Sequence, residues 1–165
     1  MRTIIHDLND KDLVDICFED SDNLVNAIKC KNACMGCFNC WIKHPKKCAY
    51  NDEYSNLVEY LKDSDELVLI SKCRYGCFST YTKRVLERCI GYVLPYFTIR
   101  EGSIHHTSRY KNKLKLKVYF YGNIDISDKE CAYNLIKANA LNLNIDDFKV
   151  EYLNNIEELK ECIHY

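Results

Sequence analysis

Four cysteines stand at Cys34-x2-Cys37-x2-Cys40-x7-Cys48, with Cys30 shortly before them. Thiolates three residues apart in an irregular loop can converge on one inorganic centre. Three of them can hold three corners of a cubane, and a fourth from nearby closes it. Sulfur is a soft donor, so the pattern favours an iron–sulfur cluster or zinc over a hard cation. The spacing departs from the bacterial ferredoxin run, whose last cysteine is followed by proline and often serves a second cluster. Thiols that merely fold a loop around Phe38, Trp41 and Pro45 are a third reading of the same residues. Lys43, Lys46 and Lys47 make the segment locally basic, which favours thiolate reactivity or plain solvation.

The chain has eleven cysteines in 165 residues, an odd count, and five of them fall between Cys30 and Cys48. Residues 1–12 carry no apolar stretch of the kind a secretion signal needs. Reduced thiols in a cytoplasmic protein are therefore expected rather than a disulfide framework. A net charge of −1 gives no electrostatic reason to invoke nucleic acid. The apolar run Leu67-Val68-Leu69-Ile70 falls far short of the ~20 residues that span a bilayer, so no membrane is expected as partner. Two prolines and five glycines leave no room for a long disordered linker. One domain over residues 1–165 is expected, with residues 30–48 inserted after the second strand.

The elements that must position this loop follow from periodicity. Residues 2–8 read as a strand, 12–18 as one or two helical turns, and 24–28 as a second strand. Tyr54, Leu57, Val58 and Leu61 mark one helix face, with Asn51 or Asp52 available as N-cap. Residues 66–71 form a short apolar run suited to a central parallel strand. Val85, Leu86, Cys89 and Val93 give the next helical stripe, and residues 95–109 read as irregular. Residues 114–121 alternate as a strand. Ser127 and Glu130 have capping-box spacing ahead of a helix bearing Ala132, Ile136 and Leu143. A strand over 148–153 and a short helix with Ile156, Leu159 and Ile163 complete the chain. Such alternation predicts an α/β protein with helices on both faces of a five-stranded parallel sheet of order 2-1-3-4-5.

Residues 34–45, followed by Cys48 and Asn51-Asp52, resemble the segment after the second strand in one branch of the flavodoxin-like superfamily. That branch comprises NAD(P)H-dependent FMN reductase-like proteins and iron–sulfur flavoproteins. The likeness continues through residues 63–70, Tyr75-Gly76-Cys77-Phe78-Ser79 and Lys83-x4-Arg88, and covers about residues 24–153. It implies the three-layer flavodoxin-like fold and a flavin-dependent redox protein. It further implies FMN, a [4Fe–4S] cluster on Cys34, Cys37, Cys40 and Cys48, NAD(P)H or a ferredoxin-type protein as electron donor, and a homodimer or higher homo-oligomer. The rival reading is a non-catalytic protein of the same fold that has lost FMN and binds partners or a metal.

Ligands in such sheets sit beyond the carboxyl ends of the strands. The implied flavin contacts are Arg74, Tyr75, Gly76, Cys77, Phe78 and Ser79 after the third strand, and Gly122 after the fourth. Tyr75 could stack on the ring, Gly76 lets backbone approach, and Ser79 offers a hydroxyl. The first loop, His6-Asp7-Leu8-Asn9-Asp10-Lys11-Asp12, lacks the family's Gly/Ser/Thr-rich phosphate cradle and carries three aspartates instead. Two lost charge-assisted hydrogen bonds weaken FMN by roughly 10²–10⁴-fold. Phosphate held by Arg74 or by residues 100–109, weak flavin binding, and loss of flavin all remain open at this stage. His105 and His106, adjacent in the chain, make a poor chelating pair. Cys17, Cys89, Cys131 and Cys162 read as small hydrophobes, and Tyr119 and Tyr121 as sheet residues with wet hydroxyls.

Overall fold

The structure is a computed structural model that describes residues 1–14 and 16–163. Its elements are β1 (Arg2–His6), α1 (Asp10–Leu13), β2 (Asn23–Asn26), α2 (Leu57–Asp63), β3 (Glu66–Lys72) and α3 (Thr80–Glu87). They continue with β4 (Val93–Arg100), β5 (Ser103–Ser108), β6 (Lys115–Tyr121), α4 (Ile126–Asn142), β7 (Phe148–Leu153) and α5 (Leu159–Cys162). Five strands form a parallel sheet in the order β2-β1-β3-β6-β7, while β4 and β5 pair antiparallel as a separate hairpin. The α/β class, the parallel sheet and the relative order of its five strands match the expectation. The hairpin does not.

Successive residues of a strand face opposite sides of the sheet, and the core divides accordingly. Ile5, Leu67, Leu69, Val118 and Phe120 meet α2, α3 and α4 through Leu57, Leu61, Val85 and Ile136. Ile4, Val68, Ile70 and Tyr119 meet Leu8, Ile16, Leu159 and Ile163 on the opposite face. The second layer is thin, because α1 and α5 have four residues each. No helix among the described residues is long and apolar enough to cross a membrane.

Several local readings change. The stripe assigned to residues 85–93 stops early: α3 ends at Glu87, a 3-10 turn covers Ile90–Tyr92, and Val93 opens β4. Thr and β-branched or aromatic residues in 93–108 suit a strand pair, and a turn with Glu101 and Gly102 at positive φ joins them. Residues 95–109 are therefore a hairpin and not an irregular stretch. The long helix α4 is capped by Asp125, whose carboxylate accepts from the Asp128 N–H at 2.8 Å, in place of Ser127. The hydroxyls of Tyr119 and Tyr121 are not wet: they donate to the Cys162 carbonyl and to Asp7. Cys17 and Cys131 are exposed, whereas Cys89 is buried.

After β3 the chain folds back in a two-residue turn, with Arg74 and Cys77 exchanging backbone hydrogen bonds of 2.9 Å. Tyr75 and Gly76 both take positive φ, 54° and 69°, as such turns require. Gly76 is further fixed by α4. A β-carbon there would stand inside contact distance of Cys131 Cβ and 2.9 Å from the Asp128 carbonyl oxygen. Gly36 has a similar φ of +65° but open space around it. Gly76→Ala is thus expected to cost about 2–5 kcal/mol from left-handed strain plus overpacking, and Gly36→Ala about 1 kcal/mol. Urea unfolding of the two variants checks the difference, and equal losses would contradict this account of the turn.

Candidate functional site

Cys34, Cys37, Cys40 and Cys48 line one cavity of about 40 Å³, together with Gly36, Phe38, Tyr50, Arg88 and Ile90. This volume exceeds the ~10–15 Å³ that a single water needs. Local backbone geometry makes the cavity. Gly36 and Phe38 take positive φ, and the turn 38–47 closes through Trp41 N–H to the Phe38 carbonyl at 2.9 Å and Lys46 N–H to the Cys40 carbonyl at 2.9 Å. Trp41 then ties the turn to the body, donating its indole N–H to the Val93 carbonyl at 2.9 Å and the Ile90 carbonyl at 3.2 Å. Gly91 leaves room for Cys40: a β-carbon on Gly91 would lie 3.2 Å from Cys40 Cβ. Among the described residues, no three His, Cys, Asp or Glu side chains converge on a single-ion site. The thiols border a space and do not meet at a point.

Arg88, which follows α3, supplies the charge. Its side chain is fully buried and pairs bidentately with Asp52, at 2.8 and 2.5 Å. The same guanidinium donates to Cys30 Sγ at 3.6 Å and lies over the rings of Tyr50 and Tyr54. Its Nε is buried without a partner among the described residues. Burial works against this charge, but the Asp52 carboxylate and the neighbouring Cys48 and Cys30 sulfurs outweigh it and hold Arg88 protonated. Asp52 in turn is held below the usual carboxylate range, chiefly by Arg88. Asp52 also caps the turn into α2, accepting from the Tyr54 N–H at 3.2 Å, and receives the Asn32 amide at 3.1 Å. Burial raises the Cys40 thiol pKa, and the adjacent Cys34, Cys48 and Cys37 add to the shift. The cavity therefore gathers sulfurs that repel one another as thiolates, beside one buried cation.

The first loop is built differently from an anion cradle. The Asp7 carboxylate accepts from the Lys72 N–H at 3.1 Å, the Ser71 hydroxyl at 3.2 Å and the Tyr121 hydroxyl at 3.0 Å. The Leu8 N–H donates to His6 Nδ1 at 3.3 Å, and the Asn9 N–H to Asp12 Oδ2 at 3.3 Å. Two of the loop's N–H donors are thus engaged within the chain, and the helix that follows has one turn. Asp7, Asp10 and Asp12 make this loop a poor match for a phosphate dianion, although Lys11 and Lys29 line a cavity of about 490 Å³ beside it. Arg100 is engaged with Asp146 and Asn144, and Arg109 Nε with the Gly91 carbonyl.

The remaining residues assigned to flavin contact separate into two groups. Tyr75, 94% exposed, stands at the tip of its turn beside exposed Arg74. Phe78 is buried against Phe120, and Ser79 caps α3 while donating its N–H to Ser71 Oγ at 2.9 Å. Gly76 packs on α4, Cys77 is half-buried, and Gly122 takes a φ of +113° beside Lys72. In the sequence Arg88 stands only as the end of Lys83-x4-Arg88, with no role of its own. A lone arginine at the end of an apolar helical stripe is the available signal. The chain matches no family model and no curated protein.

Two outcomes follow. Arg88→Gln leaves Asp52 with no counter-charge and is expected to cost about 3–5 kcal/mol in urea unfolding, with Arg88→Lys losing less. His6 is fully buried, and burial lowers its pKa from 6.5 to about 4. The unfolded chain then binds a proton at His6 near pH 6.5 that the folded chain refuses until about pH 4. Stability is therefore complete above pH 6.5 and falls by a few kcal/mol as the pH drops through that window. The His6→Asn variant is expected to flatten the slope, and an unchanged slope would contradict the assignment.

Proposed function

We propose that this chain is a flavodoxin-like protein whose cysteine loop holds a [4Fe–4S] cluster, and that it acts as a one-electron carrier without FMN in the usual place. The observation that carries the reading is the single cavity bordered by Cys34, Cys37, Cys40 and Cys48 against the buried Arg88 guanidinium. Each thiolate of a cubane binds a different iron, so the four sulfurs surround a volume. Zinc would draw them to a tetrahedron with edges of ~3.8 Å, from Zn–S bonds of ~2.3 Å. Four cysteines bordering one cavity is what the first arrangement needs. A cluster with four thiolates is a net anion, and Arg88 supports that charge from inside the protein.

Such a cluster supplies one-electron redox chemistry. The chain's own residues do the rest. Trp41 and Gly91 fix the loop, Phe38 and Ile90 limit water, and Arg88 stabilises negative charge. A hydride donor such as NAD(P)H passes electrons in pairs and needs a flavin to split them. With an acidic first loop and a one-turn helix behind it, an acidic one-electron protein of the ferredoxin type is the better-suited donor. Exposed Lys43 and Lys47, in the segment between Cys40 and Cys48, give it a complementary surface.

Anaerobic reconstitution with iron and sulfide tests the reading. About four irons and four sulfides per chain are expected, with broad visible absorption. Serine at Cys34, Cys37, Cys40 or Cys48 is expected to lower the iron content, while Cys17→Ser leaves it unchanged. One tightly held zinc, or no metal on the wild-type chain, would overturn the proposal. Tight FMN binding with no iron would restore the flavin reading in its place.

A further inference from the structure

A second cavity, about 830 Å³, lies between α3, α4 and the β4–β5 hairpin, and Cys34, Gly36 and Ile90 border both it and the cysteine cavity. Its size is that of a small-molecule site. Lys83, Leu86, Glu87 and Ile90 form one stripe along and just beyond α3, and Leu135, Asn139, Asn142 and Leu143 one stripe along and just beyond α4. These two stripes face a common groove. The hairpin adds Phe97 and Ile104, 66% and 73% exposed.

This hairpin is anchored. Arg100 bonds Asp146 at 2.7 Å and Asn144 at 2.8 Å, Asn144 donates to the His106 carbonyl at 3.0 Å, and His105 meets Asn142 at 3.1 Å. Two large apolar side chains are thereby held over a groove that no other part of the described chain fills. A row of rings leads into it. Phe38 stacks on Trp41 at 5.2 Å, Trp41 meets His106 at 4.9 Å, and His106 meets Phe97 at 4.8 Å. Phe97 ends the row, borders the cavity and is largely exposed. The charges there are balanced, since Lys83 and Glu87 approach to 3.9 Å on successive turns.

We propose that this cleft is a binding site for an uncharged planar aromatic molecule of two or three fused rings, which continues the ring row beyond Phe97 between α3 and α4. Aromatic surfaces pack edge-to-face or offset on such a row. Apolar flanks from Leu86, Ile104 and Leu135 suit both faces of a ring, and a balanced Lys83–Glu87 pair gives a fully charged ligand no advantage. The site stands independently of any cluster, although it borders Cys34.

The probe is 2-naphthol, a neutral two-ring aromatic, titrated into the full chain before and after iron loading. Trp41, the sole tryptophan, packs on His106 and reports occupancy by its emission. Saturable binding is expected at one site per chain, with amide NMR shifts at Leu86, Ile104 and Leu135. Ile104→Glu is expected to weaken it at least tenfold, and Phe97→Ala about fivefold. Both positions are exposed, so the fold survives the changes. Tyr75→Ala, on the separate turn after β3, is expected to change nothing. No saturation at millimolar probe would overturn the proposal, as would binding indifferent to both hairpin substitutions. Iron content measured on the same samples reports on the cluster separately, so either reading can fail alone.

Discussion

A guanidinium buried away from water is costly unless carboxylate and other acceptors surround it. Arg88 meets that demand with Asp52, the Cys30 sulfur and two aromatic faces. The arginine sits just past α3, which the core fixes through Val85 and Thr82. Its partners come from the long segment after β2. Satisfying one charge therefore folds residues 30–52 onto α3, and this brings the four cysteines around a common space. The Asp52 carboxylate serves twice, because it also caps the turn that starts the next helix.

At the carboxyl edge of the sheet the same physics runs the other way. Asp7 is a nearly buried carboxylate, and it takes the donors of Ser71, Lys72 and Tyr121 for itself. Ser71 also binds the Ser79 N–H, so the edge becomes a closed network. Such a network stiffens the β1, β3 and β6 ends and leaves few donors for an outside anion. Fold and ligand are thereby separable. The parallel sheet order β2-β1-β3-β6-β7 is kept whatever the first loop binds, and Asp7 makes that loop part of the scaffold.

Much of the architecture is legible in the sequence. Residues 66–72 and 115–121 alternate or run apolar as a central parallel strand pair must, and Phe148–Leu153 follows suit. The cysteine spacing places four thiols in one short segment, and all four border one cavity. The failures have physical causes. Val93 extends the apolar stripe of 85–89 by accident of spacing: α3 already ends at Glu87, and the 3-10 turn Ile90–Tyr92 carries the chain past Cys40 into β4. The hairpin hides because its strands are half exposed and lack clean alternation. Asp125 and Ser127 are both good caps, and which one acts depends on how β6 hands the chain to α4. Arg88 and Asp52 lie 36 residues apart, and no local pattern pairs them.

An iron–sulfur centre on the four thiolates beside Arg88, as proposed, is read most directly from the electron paramagnetic resonance spectrum of anaerobically purified protein after dithionite reduction. A fast-relaxing spin-½ signal integrating to about one spin per chain is expected, as one reduced [4Fe–4S] centre gives. A spectrum of isolated high-spin iron, or silence from a sample that holds zinc or no metal, would contradict it.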